Sequence, residues 1–104
     1  MGGRRGRRQR ILEAYGFRCV YCGAILPADR LTLDHVEPKV KGGDRSDGNL
    51  VACCVPCNTA KGGSPAWAFL ARHPDLRANF LLYATGVWPR LRRAVIDAAR
   101  SGSE

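Results

Sequence analysis

Four cysteines fall into two Cys-x2-Cys pairs, Cys19 with Cys22 and Cys54 with Cys57, and 31 residues separate the pairs. Thiolates at this spacing project from two tight backbone turns. Four of them fill the tetrahedral shell of one zinc ion at about 2.3 Å each. A filled shell leaves no open position, so such a zinc is a structural staple and not a catalyst. The plain alternative is that both pairs pack as small apolar residues. A redox role fits poorly, because no βαβ pattern surrounds either pair. A fifth cysteine, Cys53, could compete with Cys54 for the second pair, but the matched two-residue spacing favours Cys54.

A second constellation lies between and just after the pairs: Asp34-His35, then Asn49, then Asn58 directly after Cys57. A carboxylate and a carboxamide together can hold a hard divalent cation such as Mg²⁺ through oxygen, with waters completing the octahedron. A neutral imidazole beside that ion can take a proton from water. The ion would lend Lewis acidity to a phosphoryl oxygen or a leaving group. One carboxylate and one neutral amide leave the ion net positive, which suits an anionic phosphodiester. Each residue also has a plainer reading: a surface Asp-His hydrogen bond, a turn asparagine after Asp47-Gly48, and a helix cap at Asn58.

These residues need elements to place them. Residues 31–36 read as a strand with Leu31 and Leu33 on one face, closed by Glu37-Pro38. Alternation sends Asp34 and His35 to opposite faces, and neither is a comfortable core residue. Residues 39–48 form a polar loop with turn signals at Gly42-Gly43 and Asp47-Gly48. Residues 50–53 read as a second short strand and 57–61 as the start of a helix that Gly62-Gly63 ends. Further helices are expected at 10–15, after Ser64 as N-cap with Pro65 at the first helical position, over 76–84 with Asp75 as cap, and over 89–100. Trp67 and Trp88 belong to the core at helical spacing.

Composition narrows the function classes. The chain has 104 residues, enough for one small domain, with 17 Lys and Arg against 9 Asp and Glu, a formal charge of +8. A chain this small buries only about 60–70% of its unfolded surface and benefits from a metal staple. Residues 1–9 read as a basic flexible arm. Arg4, Arg5, Arg7, Arg8 and Arg10 supply +5 of the charge with no acid among the first ten residues. Such an arm fits a polyanionic partner, bound by counterion release, or is a solvated tail. The longest apolar run is six residues, far below the roughly 18 a membrane span takes. The basic start has no apolar segment behind it, so a cytoplasmic setting with reduced thiols is expected.

The motifs also occur in a familiar order. Arg18-Cys19-Val-Tyr-Cys22-Gly23, Asp34-His35-Val36-x-Pro38, Gly42-Gly43, Asn49-Leu50-Val51 and Cys54-x2-Cys57-Asn58-x2-Lys61-Gly62 together resemble the zinc-stapled branch of the HNH endonuclease family. The resemblance implies an α+β fold: a small ββα-metal finger stapled by a four-cysteine zinc, with additional N- and C-terminal helices. It spans a core over 10–63, with 64–104 as a helical extension of the same domain. It implies hydrolysis of DNA phosphodiester bonds with a catalytic Mg²⁺ or Mn²⁺. His35 corresponds to the general base and Asp34 to the metal-ligand carboxylate. Asn49 corresponds to the asparagine that tethers the inter-strand loop and orients the base. Asn58 stands where the family name places its last histidine, which disfavours softer ions at that site. Lys61 either touches a phosphate or stays solvated. The arm arginines Arg4, Arg5, Arg7 and Arg8 would add salt-sensitive DNA affinity. Double-strand cleavage takes two nicks or a homodimer. The alternatives are a zinc-stapled module that binds nucleic acid without cutting it, and a nuclease accessory to a phage packaging or assembly machine whose partner nothing in the chain identifies.

Overall fold

A computed structural model describes residues 6–102. The first element among the described residues is helix α1 (Arg7–Ala14), whose Ile11 and Leu12 are buried. The helix starts three residues earlier than the spacing predicts, and the basic arm ends correspondingly sooner. The Arg10 amide donates to the Gly6 carbonyl at 3.1 Å, and the first turn is fastened to the body. Arg7 bonds Asp47 at 2.8 Å and the Arg45 carbonyl. Arg8 donates to the carbonyls of Ala28 and Leu31 at 2.6 and 2.7 Å. A guanidinium has five donors in a planar fork, so a Gly/Arg stretch that reads as solvated can still be anchored by carbonyls distant in sequence. Arg4 and Arg5 lie outside the described residues.

Strand β1 (Leu31–His35) pairs antiparallel with β2 (Leu50–Cys54), with Asp34 opposite Val51 and His35 opposite Leu50. Every residue of β2 is buried, because α1 packs on one side of the ribbon and the later helices cover the other elements. Helix α2 (Val55–Lys61) follows without a linker, with the Cys54 side chain accepting from the Cys57 amide as its N-cap. Pro56 sits in the first helical turn, where no amide hydrogen is needed. Three further helices complete the chain: α3 (Ala66–Ala71), α4 (Pro74–Tyr83) and α5 (Pro89–Gly102). Pro65, not Ser64, is the residue preceding α3 in cap position; its carbonyl accepts from Ala68 and Phe69. Helix α4 opens at Pro74 after His73, two residues before the predicted start.

One buried cluster unites these parts. Val20, Tyr21, Val36 and Val51 from the finger pack with Phe69, Leu70, Phe80, Leu91 and Val95 from the helical extension. Trp67 and Trp88 are partly buried against this cluster. Gly48 is required by the close packing of Trp88: a Cβ there would lie 2.1 Å from the indole nitrogen. The Trp88 amide also donates to the Gly48 carbonyl at 3.0 Å, so α5 begins on the loop that precedes β2. Among the described residues the architecture is α+β, a two-stranded sheet with five α-helices. No helix among the described residues is long and apolar enough to cross a membrane.

Candidate active site

The four-cysteine cluster joins the turn after α1 to the end of β2. The turn after α1 carries Cys19 and Cys22, and the Gly23 amide closes it by donating to the Cys19 carbonyl at 2.9 Å. Gly23 has φ +82°, a conformation only glycine adopts at no steric cost. The Tyr21 and Cys22 amides both point at Cys19 Sγ at 3.4 Å, and the Cys57 amide points at Cys54 Sγ at the same distance. Peptide N–H groups aimed at sulfur stabilise thiolates, the form a metal takes. The Val20 amide donates to the Ala52 carbonyl at 3.1 Å, which docks this turn on β2. The sulfurs of Cys19, Cys22, Cys54 and Cys57 all lie within 4.8 Å of one another. Cys22 and Cys54 are 3.7 Å apart, close to the ~3.8 Å edge of a tetrahedron with zinc–sulfur bonds of about 2.3 Å. These four thiols can hold a metal ion, and their chemistry fits zinc. Cys53 is fully buried on β2. Its thiol donates to the Cys54 carbonyl at 3.2 Å and lies beside Cys19, whose thiol the contact holds below its ordinary pKa.

Around the opposite end of the ribbon lies a cleft of about 290 Å³ that brings Asp34, His35, Lys39, Asn58 and Lys61 together. Asp34 is 6% exposed. Strand alternation makes it a poor core residue, and the structure resolves the conflict with two partners. Lys61 Nζ lies 3.1 Å from Oδ1, and the Tyr21 hydroxyl donates to Oδ2 at 2.6 Å. Burial pushes the Asp34 carboxyl above its ordinary range, against the opposing pull of Lys61 and Tyr21. Burial, then the neighbouring Asp34 charge, hold the Tyr21 hydroxyl well above its ordinary value. It therefore remains a donor.

Lys61 departs from the solvated reading offered for it. It is 4% exposed and also donates to the His35 carbonyl at 3.1 Å. Its position at the last turn of α2 aims a long side chain back over β1, where a buried carboxylate and a strand-end carbonyl need a cation. His35 sits at the end of β1 with its Nε2 buried. Among the described residues this is the one buried side-chain nitrogen or oxygen without a hydrogen-bond partner. Such an atom in a polar cleft is a group whose partner is a water, an ion or a ligand. With the Asp34 carboxylate and the Asn58 amide lining the same cleft, the donor set fits a hard divalent ion.

Asn49 is fully buried and works on the loop between the strands. Its Oδ1 accepts from the Glu37 amide at 2.7 Å, and its Nδ2 donates to the carbonyls of Glu37 at 3.0 Å and Asp44 at 2.7 Å. Its own carbonyl accepts from the Val36 amide at 2.9 Å, directly after His35. The close approach explains Gly43, where a Cβ would meet the Glu37 carbonyl oxygen at 1.7 Å.

The profile of the HNH endonuclease family matches residues 19–70, which include both cysteine pairs, both strands and the cleft. The chain belongs to the HNH endonuclease family. Among its relatives is the CRISPR-associated endonuclease Cas9 of Actinomyces naeslundii, 40% identical over 60 residues. The Cas9 of Corynebacterium diphtheriae is 33% identical over 64 residues. These matches cover 55% and 59% of this chain but only 5% and 6% of the Cas9 proteins. The crystal structure of the type II-C Cas9 enzyme from A. naeslundii superposes with a TM-score of 0.66 at 27% identity, over 96% of this chain and 12% of that one. This HNH chain thus spans a small part of the relatives it matches, while its helical extension is included in the structural likeness. Within it, Tyr21 is the site residue that sequence reasoning missed. The only available signal was a tyrosine inside a metal-binding turn, and nothing local links it to Asp34, 13 residues on.

Proposed function

We propose that this HNH protein is a metal-dependent endonuclease that hydrolyses DNA phosphodiester bonds one strand at a time. The observation that carries the reading is the cleft that His35, whose buried Nε2 has no hydrogen-bond partner, shares with Asp34 and Asn58. A general base needs a lone pair that no protein group has taken. In this reading the His35 imidazole takes a proton from a water, and the water oxygen forms a new bond to phosphorus as the bond to the 3′-oxygen breaks. Mg²⁺ or Mn²⁺, held by Asp34 and Asn58, would supply Lewis acidity to the phosphoryl and leaving oxygens. Asn49 keeps the end of β1 in place through the Glu37 and Asp44 peptide groups, and so orients His35. Lys61 offsets the buried Asp34 charge.

Arg4 and Arg5 are proposed to add affinity for the phosphate backbone. Arg7 and Arg8 bond the protein's own carboxylate and carbonyls. Residues 10–63 are proposed as the nuclease core, with 64–104 as its buttress. The zinc staple holds the far end of the ribbon and takes no part in the chemistry.

The test is the conversion of supercoiled plasmid to the nicked form with Mg²⁺ or Mn²⁺. We expect nicked circles before linear DNA, products ending in 5′-phosphate and 3′-hydroxyl, and no conversion in EDTA. Binding of DNA with no nicking in either metal contradicts the reading and leaves a binding module.

A further inference from the structure

Tyr21 has more connections than a buried tyrosine needs. It sits between Cys19 and Cys22, inside the first metal-binding turn. Its ring is stacked on Phe80 of α4 at 5.8 Å and meets Phe69 of α3 edge-on at 5.7 Å. Its carbonyl accepts from Asn79 Nδ2 of α4 at 2.8 Å. The side chain is completely buried, and its one polar atom ends on Asp34 Oδ2 at 2.6 Å. Two helices from outside the ββα finger, α3 and α4, therefore fix the direction of one hydroxyl, and that hydroxyl fixes one carboxylate. Lys61 holds the other oxygen at 3.1 Å, so the carboxylate plane cannot rotate.

We propose that Tyr21 is a positioning residue for the divalent-ion site: it clamps Asp34 so that the carboxylate offers the ion a fixed set of lone pairs. The inference rests on the nuclease reading above for the identity of the ion. It gives the cysteine staple and the helices α3 and α4 a shared purpose, because both hold Tyr21. Groups that hydrogen-bond a metal ligand from behind commonly alter metal affinity by about 10- to 100-fold when removed. A tyrosine that only filled the core would show no such effect.

The experiment measures metal directly. Binding of Mn²⁺ to the zinc-loaded protein is followed by the electron paramagnetic resonance signal of the free ion. Wild type is compared with Tyr21→Phe, Asn79→Ala and Phe80→Leu. Tyr21→Phe keeps the ring and removes the hydroxyl; it should weaken Mn²⁺ about tenfold or more. Asn79→Ala frees the Tyr21 backbone and should weaken it less, in the same direction, which supplies a second reading if Tyr21→Phe fails to fold. Phe80→Leu loosens the ring's packing but leaves the hydroxyl; it should lower the melting temperature and weaken Mn²⁺ less than Tyr21→Phe does. In an Asp34→Asn background the Tyr21→Phe change should have no further effect. In nicking assays Tyr21→Phe should raise the Mg²⁺ concentration for half-maximal rate and recover at saturating Mg²⁺. Unchanged Mn²⁺ affinity in folded, zinc-loaded Tyr21→Phe overturns this inference and leaves the nuclease reading standing. A wild-type protein that binds no Mn²⁺ and nicks no DNA overturns both.

Discussion

Replacing Asn49 by alanine tests how the loop between the strands is held. The Asn49 amide makes three hydrogen bonds, at 2.7, 3.0 and 2.7 Å, to the Glu37 amide and the carbonyls of Glu37 and Asp44. Each contributes about 1 kcal/mol net, and truncation leaves backbone groups without their partner. The side chain is fully buried, so water does not simply replace it. Asn49→Ala should therefore lose about 3 kcal/mol, which at this size corresponds to a fall in melting temperature on the order of 15 °C. Urea unfolding monitored by tryptophan fluorescence provides the value, with the slope m unchanged. Asn49→Asp keeps the acceptor for the Glu37 amide but turns an anionic oxygen toward two carbonyls, and should be at least as damaging. At a temperature where Asn49→Ala is fully folded, nicking should still fall, because the Glu37 peptide groups two residues after His35 lose their side-chain tether. A loss below about 1 kcal/mol for Asn49→Ala would refute the tether.

Lys61→Met should cost about 3–5 kcal/mol in urea unfolding, since it leaves the buried Asp34 carboxylate without its cation; a cost within experimental error would show that the pair is not a buried one. Cys22→Ser and Cys57→Ser should each lose zinc by elemental analysis and several kcal/mol of stability. Cys53→Ala should keep one zinc per chain; zinc loss there would move the ligand from Cys54 to Cys53. Deleting residues 1–5 removes Arg4 and Arg5 and should flatten the slope of log K for DNA against log salt by about 1–2; an unaltered slope would make the segment a bystander.

The legible parts of this molecule are those in which residues close in sequence share one task. Each Cys-x2-Cys pair is a local turn, and the Asp34-His35 step, the Gly42-Gly43 turn and the Pro56 helix start each have a local signature. The two strands and the C-terminal helix were readable for the same reason, with boundaries shifted by a residue or two. Long-range partners were not readable. Tyr21 and Lys61 meet Asp34 across 13 and 27 residues, and neither spacing has a periodicity that marks it. Strand alternation flagged Asp34 as an unsuitable core residue, and that conflict was the nearest thing to a signal for its two buried partners. The early start of α1 was hidden because its anchors, Asp47, Ala28 and Leu31, lie 20 to 40 residues away.

The most direct measurement is the rate of plasmid nicking in Mg²⁺ by wild type and His35→Ala, each verified to carry one zinc and to melt at the same temperature. Loss of the base should abolish nicking, with DNA binding retained. Nicking by His35→Ala at the wild-type rate would show that the unpartnered imidazole is not the base and that the cleft around it is not the catalytic site.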